Sequence, residues 1–418
     1  MVAPHVPASL LLVAALTGIA APRVPAGRVD AGAPTQERRP ARPPAPDSRP
    51  LRCLTPSGES VSADAVLRDL RDGKDVVLTG RIVEGSLDAD QVWPPADERR
   101  TSLRVVSGTL RLESCRVDGR LTFPRTVFVK GLELPCTEIR GDLDLTDADL
   151  GGGLGAARAH VLGELRLARA LVHGPLTLAS ATADDHVDLT GIRISGPLNL
   201  EGAAFRRDVD LSRAVVQALD LSVARVGGRT SLQDLLVLTG LAARETNFVR
   251  GLLADGVKVV GRADLSGARG AAGLSLADWT VGSDLFLDLA ADGPVTMAGV
   301  EVGRDLSLLD GVFQTVTIER LRVGRRCELE GARFKGKLVV RDSDMGSEFT
   351  ASDLIVDGES EFLRVRFPGE DPMEGARFAR APSLVETVLP RPPTVQSGEE
   401  GEGEDDEGSD DDEGDDEP

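Results

Sequence analysis

The sequence predicts an all-β solenoid, a chain wound in stacked coils around a narrow apolar core, and three observations carry that expectation. The first is a period. Leucine or valine recurs every eleven residues from Leu110 through Leu121, Leu132 and Leu143 to Leu198 and Val209. A fixed period of this kind is the signature of a repeat architecture. The second is a phase pattern. Taking the leucine series as phase zero, phase two is apolar (Leu112, Phe123, Leu145) and phase five mostly small (Ala148, Ala159, Ala170). Phase seven is apolar again (Val117, Ile139, Leu150), and phase nine is often glycine (Gly119, Gly141, Gly152). The third is composition. Tyrosine is absent and aromatics make up 3% of the chain. A compact globule buries more aromatic bulk, whereas thin stacked coils need small and branched aliphatics.

The inward positions are therefore spaced by two, three, two and four residues. A spacing of two puts both side chains on one side of an extended segment. The wider gaps are corners, and glycine at the widest is read here as tolerating an unusual backbone. Each eleven-residue unit makes two short faces, so two units, about 22 residues, close a four-sided coil. Three places shorten the corner by one residue: Val216 to Leu219, Asp292 to Val295, and Phe313 to Val316.

This rhythm resembles the pentapeptide-repeat family, whose inward residues alternate spacings of two and three in the motif A-(D/N)-L-x-x. The matching pieces are Ala148-Asp149-Leu150, Ala263-Asp264-Leu265 and Gly141-Asp142-Leu143-Asp144-Leu145. The resemblance implies a right-handed quadrilateral β-helix, with one extra residue at every second corner. It covers roughly residues 76–380 and speaks of fold rather than activity.

The rest of the chain follows in order. Residues 1–21 hold the apolar run ASLLLVAALTGIAA. It is too short for a comfortable membrane span and suits the apolar region of a secretory signal, or an N-terminal anchor if uncleaved. Residues 22–52 are rich in Pro, Ala and Arg and read as an extended linker. Within 53–75 a short helix is expected over Ser62–Arg71, capped by Ser62, with Ala65, Leu67 and Leu70 on one side and Gly73 as its stop. Its role is to cover the open end of the first coil. Residues 76–380 form the solenoid, with an irregular excursion near Trp93-Pro94-Pro95. Residues 381–418 are expected to be a disordered acidic tail. The formal net charge is −20, of which 14 negative charges lie in Ser397–Pro418, so the preceding residues carry −6.

The sequence offers no catalytic, cofactor-binding or metal residues. Gly151-Gly152-Gly153-Leu154-Gly155-Ala156 satisfies G-x-G-x-x-A, but its apolar members sit on core phases and no helix follows. His160, His173 and His186 recur thirteen apart, out of step with eleven, so they should fall on different faces. Asp184-Asp185-His186 is the most polar cluster. Asp144, Asp188, Asp210, Asp220 and Asp264 share outward phase one and read as a solvated face. Cys115 and Cys136, close to two repeats apart, are candidates for a disulfide, although their phases differ by one; Cys327 falls on a core phase. No zinc spacing occurs among the four cysteines.

The expected function is that of a non-enzymatic exported scaffold or protein-binding surface of a bacterial envelope. The chain's partners are then proteins, with no specific nucleic acid, membrane contact only through an uncleaved N-terminus, and room for end-to-end self-association. The alternatives are an envelope enzyme with a site on a solenoid flank and a DNA-mimicking inhibitor of the pentapeptide type.

Overall fold

The computed structural model describes residues 53–56, 58–93, 104–369 and 371–387. The N-terminal apolar segment, the linker up to residue 52 and the acidic segment from residue 388 lie outside the described residues. The described chain is a parallel β-solenoid of about 14 turns. Its coils advance by about 22 residues, as in Leu121↔Leu143↔Leu165 and Val117↔Ile139↔Val161.

Each coil has four faces. In the coil that starts at Leu110, face 1 is Leu110–Glu113, face 2 Arg116–Val117, face 3 Leu121–Thr122 and face 4 Thr126–Phe128. Stacked coils give face 2 a 15-stranded sheet and face 3 a 14-stranded sheet. Faces 1 and 4 are joined in one 22-stranded sheet, because Arg193–Asn199 and Val215–Asp220 run unbroken through the corner between them. Coils are tied by backbone hydrogen bonds in both directions. Leu121 N donates to Asp142 O of the next coil, and Glu138 N donates to Cys115 O of the previous one.

The core contains the phases expected to point inward. Leu143, Leu145, Ala148 and Leu150 are all fully buried, and the same holds coil after coil. Burying a leucine side chain contributes about 1.5–3 kcal/mol, so the repetition itself supplies the stability. Polar residues enter phase five only where they can bond. Thr137 and Thr246 donate through Oγ1 to Leu112 O at 2.6 Å and Leu221 O at 2.7 Å, the phase-two carbonyls one coil earlier. Trp279 occupies the same phase and donates its indole N–H to Ala254 O.

The helix spans Ala63–Arg71 and buries Ala63, Val66, Leu67 and Leu70. Ala65 is only half-buried. The helix packs against the first strand of every face, Ser60–Ser62, Val76–Thr79, Leu87–Asp88 and Arg104–Val106. It thus covers the open end of the core. Ser62 holds the N-cap position with extended backbone, but its side chain makes no capping hydrogen bond. It is also the last residue of a rung paired with Ile82–Glu84, and its side chain points to solvent. Gly73 ends the helix with φ +76, as a C-terminal glycine should. Trp93 packs on the core edge-on to Phe123, with ring centroids 6.4 Å apart. The last rung, Ser383–Val385, pairs with Ser360–Leu363 and carries the coils a few residues past 380.

Two details of the corner reading change. The shortened corners at Val216–Leu219 and Phe313–Val316 are present, each followed by 21-residue pairing (Leu198↔Leu219, Val295↔Val316). The third shortening lies earlier than expected. Leu289 and Ala291 point inward and Asp292 is exposed, so the missing residue is in the turn from Leu287 to Leu289, where Leu289 N donates to Leu287 O. The run Leu285, Leu287, Leu289 offers an inward leucine one residue early, and burial takes it. The glycine corners also differ in cause. Phase-nine Gly152, Gly174 and Gly196 have no left-handed φ. A Cβ on Gly174 would stand 2.8 Å from Gly152 O, and one on Gly152 would overlap Lys130 O more severely. Glycine is needed there because coils stack too closely for a side chain. Left-handed backbone belongs mainly to the other corner, at phase four, on residues such as Asp147, Arg158, Arg169 and Ser180 with φ of 55–57°.

Candidate binding surface

The phase-one aspartates hold those left-handed turns. Asp144, Asp188, Asp210 and Asp220 each accept from the backbone N–H two residues on, at 2.8–2.9 Å. Asp264 does the same with Ser266 N at 3.1 Å. A short carboxylate bonding its own backbone two residues later fixes a turn. These residues form no free acidic stripe, because one oxygen of each is committed to the chain that carries it.

The histidines separate as expected. His160 lies on face 2 with Nε2 3.3 Å from Asp184 Oδ1, and Arg206 also reaches Asp184, at 3.2 Å. His173 follows a face-4 strand, 3.0 Å from Asp149 Oδ1. His186 precedes a face-3 strand, and its backbone N–H donates to Asp185 Oδ1 at 2.9 Å. The cluster Asp184-Asp185-His186 is thereby split among separate contacts. Among the described residues, no three His, Cys, Asp or Glu side chains converge as a metal site would require. The G-x-G-x-x-A run is a corner. A Cβ on Gly151 would stand 2.5 Å from Val129 O, so its glycines admit the neighbouring coil rather than a phosphate.

The cysteines are arranged differently from the expected pair. Cys136 is bonded to Cys53, with Cα atoms 5.3 Å apart, and Cys115 is free and buried. The one-residue difference in phase explains this. Cys115, at phase five, points into the core; Cys136, at left-handed phase four, points outward. A shift of one residue along a strand exchanges inside for outside. Burial pushes the Cys115 and Cys327 thiols above their ordinary range. Both are inert packing residues, Cys327 with its sulfur 3.9 Å from Met345 Sδ.

Three surface features remain. The first is a groove of about 420 Å³ on face 1, where the unbroken strands flatten the corner. Its charges are internally satisfied. Asp264 accepts from Arg244 Nε at 2.6 Å and lies 3.6 Å from Arg262, whose guanidinium sits 5.5 Å from the centroid of the Phe286 ring. Burial pushes the Asp264 carboxyl up, but the bonds from Arg244 and Ser266 outweigh it and hold the group below its ordinary value. The second is a groove of about 480 Å³ at the corner between faces 2 and 3, walled by Arg229 and Arg250 and floored by Gly251 and Gly273. The third is face 4 itself. Five of its outward residues, Val105, Val129, Leu171, Leu238 and Val260, are 41–61% exposed. Over those coils its outward charges are Asp149, Arg193 and Lys258, with His173 beside them, whereas face 2 presents Arg116, Asp118, Glu138, Arg140, Asp184 and Arg206 in fewer coils.

Compared with protein-family models, with curated proteins and with solved structures, the chain matches none. Its fold therefore rests on its own geometry: parallel coils of about 22 residues, repeated about 14 times. The apolar stripe and the phase-four turns were missed in the sequence. The stripe was detectable, since Val105, Val127 and Val129 lie on outward phases six and eight.

Proposed function

We propose that this chain is an exported, non-enzymatic scaffold of the pentapeptide-repeat type, and that face 4 is its protein-binding surface. The observation that carries the reading is the row of exposed aliphatics on face 4. A solenoid gains nothing by exposing these aliphatics on one face, Val129, Leu238 and Val260 in one column and Val105 and Leu171 in the next, and apolar surface gathered on one face marks an interaction site. A flat, weakly charged strip fits a protein partner that is itself apolar at the contact. Export is supported by the Cys53–Cys136 bond, since disulfides persist in oxidising compartments, and by the signal-like start. No helix among the described residues is long and apolar enough to cross a membrane. The family assignment is supported by the two-and-three spacing and by corners that revert to the shorter rung.

The test places a photo-crosslinking residue at Leu238 on face 4 or at Gln233, an exposed position just past a face-3 strand, in the full chain in its native cell. Protein adducts at Leu238 and none at Gln233 are expected. Equal labelling at both positions, or none at either, would defeat the face-4 reading. N-terminal sequencing of the same material checks export: a mature chain starting after residue 21 supports it, and a cytoplasmic chain starting at Met1 contradicts it.

A further inference from the structure

The corner between faces 2 and 3 carries arginines that the structure leaves uncommitted. Many exposed arginines of the solenoid lie against a carboxylate, such as Arg169 against Asp147, Arg325 against Asp305, Arg364 against Asp342 and Arg366 against Asp344. Arg207, Arg225, Arg229, Arg250 and Arg269 are all exposed, and no ion pair joins any of them to a carboxylate among the described residues. They lie on consecutive coils. Arg225 and Arg269 flank Asn247 on face 2. Arg207, Arg229 and Arg250 occupy the adjoining corner, and the last two wall the 480 Å³ groove. The carboxylate of Asp208, within this corner, is engaged by the backbone N–H of Arg229 at 2.7 Å. In a body that is mildly acidic overall, this is a concentrated positive surface beside a channel with a glycine floor.

We propose that this corner binds the chain's own acidic segment, Glu399–Glu417. The two are matched in charge and in reach. The segment holds 14 carboxylates and no basic residue. The described coils end at Thr387, just after the face-3 rung Ser383–Val385. Six rungs separate that strand from Leu252–Leu253 at the groove, about 29 Å at the usual strand spacing. The eleven residues 388–398 can span roughly 36–40 Å when extended. The first carboxylates of the segment can thus reach the arginines along the side of the rod where the chain leaves it. Tethering raises the effective concentration of such a segment to about the millimolar range. The contact is a set of guanidinium–carboxylate pairs at an exposed surface, so it weakens as salt screens it. An external polyanion of the same charge competes with the segment for these arginines.

The full chain tests this directly. Cys115 and Cys327 are buried and Cys53 is bonded to Cys136, so introduced thiols can be spin-labelled selectively. One label goes at Ser409→Cys in the acidic segment. The second goes either at Ala271→Cys, beside the arginines on face 2, or at Gln217→Cys, on the opposite corner of the coil. At low salt, the Ser409–Ala271 pair should give a distance population below about 30 Å, set by the reach of the segment, and the Ser409–Gln217 pair should give longer distances. Substituting Arg207, Arg229 and Arg250 together by Ser, or raising the salt, should remove most of the short population. Added heparin, a soluble polyanion, should remove it as well. A short population that survives the triple substitution, one that is absent at low salt, or heparin binding that leaves it unchanged would each overturn the proposal. All three arginines are exposed, and the unfolding midpoint of the triple variant checks that the coils remain folded.

Discussion

The two kinds of corner in each coil redirect the chain from one face to the next by different physics. At the tight corner, between phases two and five, the backbone closes on itself: Ala148 N donates to Leu145 O, and Asp147 between them is left-handed. Space is plentiful there, so Arg, Asp, Ser, Glu and Gly all serve at phase four. At the open corner, phase nine has ordinary backbone angles, and where the neighbouring coil comes close, as at Gly152, Gly174 and Gly261, a side chain is excluded, although other coils carry Lys130 or Arg207 there. One corner selects on dihedral angle and the other on volume. The sequence displays the second requirement as a column of glycines and conceals the first behind unlike residues.

The largest loss is expected at the open corner. Gly261 sits where a Cβ would overlap Thr239 O, so Gly261→Ala should cost about 3 kcal/mol through overpacking against backbone, read as a lower denaturant midpoint. At the tight corner, Val223 is left-handed (φ 60) and 58% exposed. A β-branched residue is strained in that region, and its side chain buries little. Val223→Gly should therefore stabilise the chain by about 1 kcal/mol, visible as a raised melting temperature. The smallest effect belongs to the carboxylates that hold the turns. Asp188→Ala removes the 2.9 Å bond from Thr190 N and should cost about 0.5–1 kcal/mol, with the freed amide exchanging faster with solvent.

Much of the fold was legible because inward positions obey one rule. Leu143, Leu145, Ala148 and Leu150 advertise burial through residue type, and the period places them. What was not legible depended on contacts outside that rule. Phase four carries Arg169, Ser180 and Val223, which share a backbone angle and no side-chain chemistry. Gly152 signals that something is special, but residue type alone does not separate a dihedral need from a steric one. The run Leu285, Leu287, Leu289 offers two registers, and only packing decides between them. Cys136 could not be paired correctly because Cys53 lies in a segment with no repeat phase to compare. The candidate surfaces followed the same division. The face-4 aliphatics are readable once outward phases are tabulated, whereas the cluster of uncommitted arginines emerges only when ion pairs such as Arg169–Asp147 and Arg325–Asp305 are known.

The most direct measurement compares asparagine at one position of each corner. Asparagine tolerates left-handed backbone better than most residues but brings a full side chain. Gly191 is left-handed (φ 65), with open space around its would-be Cβ, whose nearest neighbour is Arg169 Cγ at 3.6 Å; Gly152 is crowded by Lys130 O. Denaturant midpoints of Gly191→Asn and Gly152→Asn should differ sharply. Gly191→Asn should stay within about 0.5 kcal/mol of the parent, and Gly152→Asn should lose about 2–3 kcal/mol. Equal losses at the two positions would contradict the division of the corners into one governed by angle and one governed by volume.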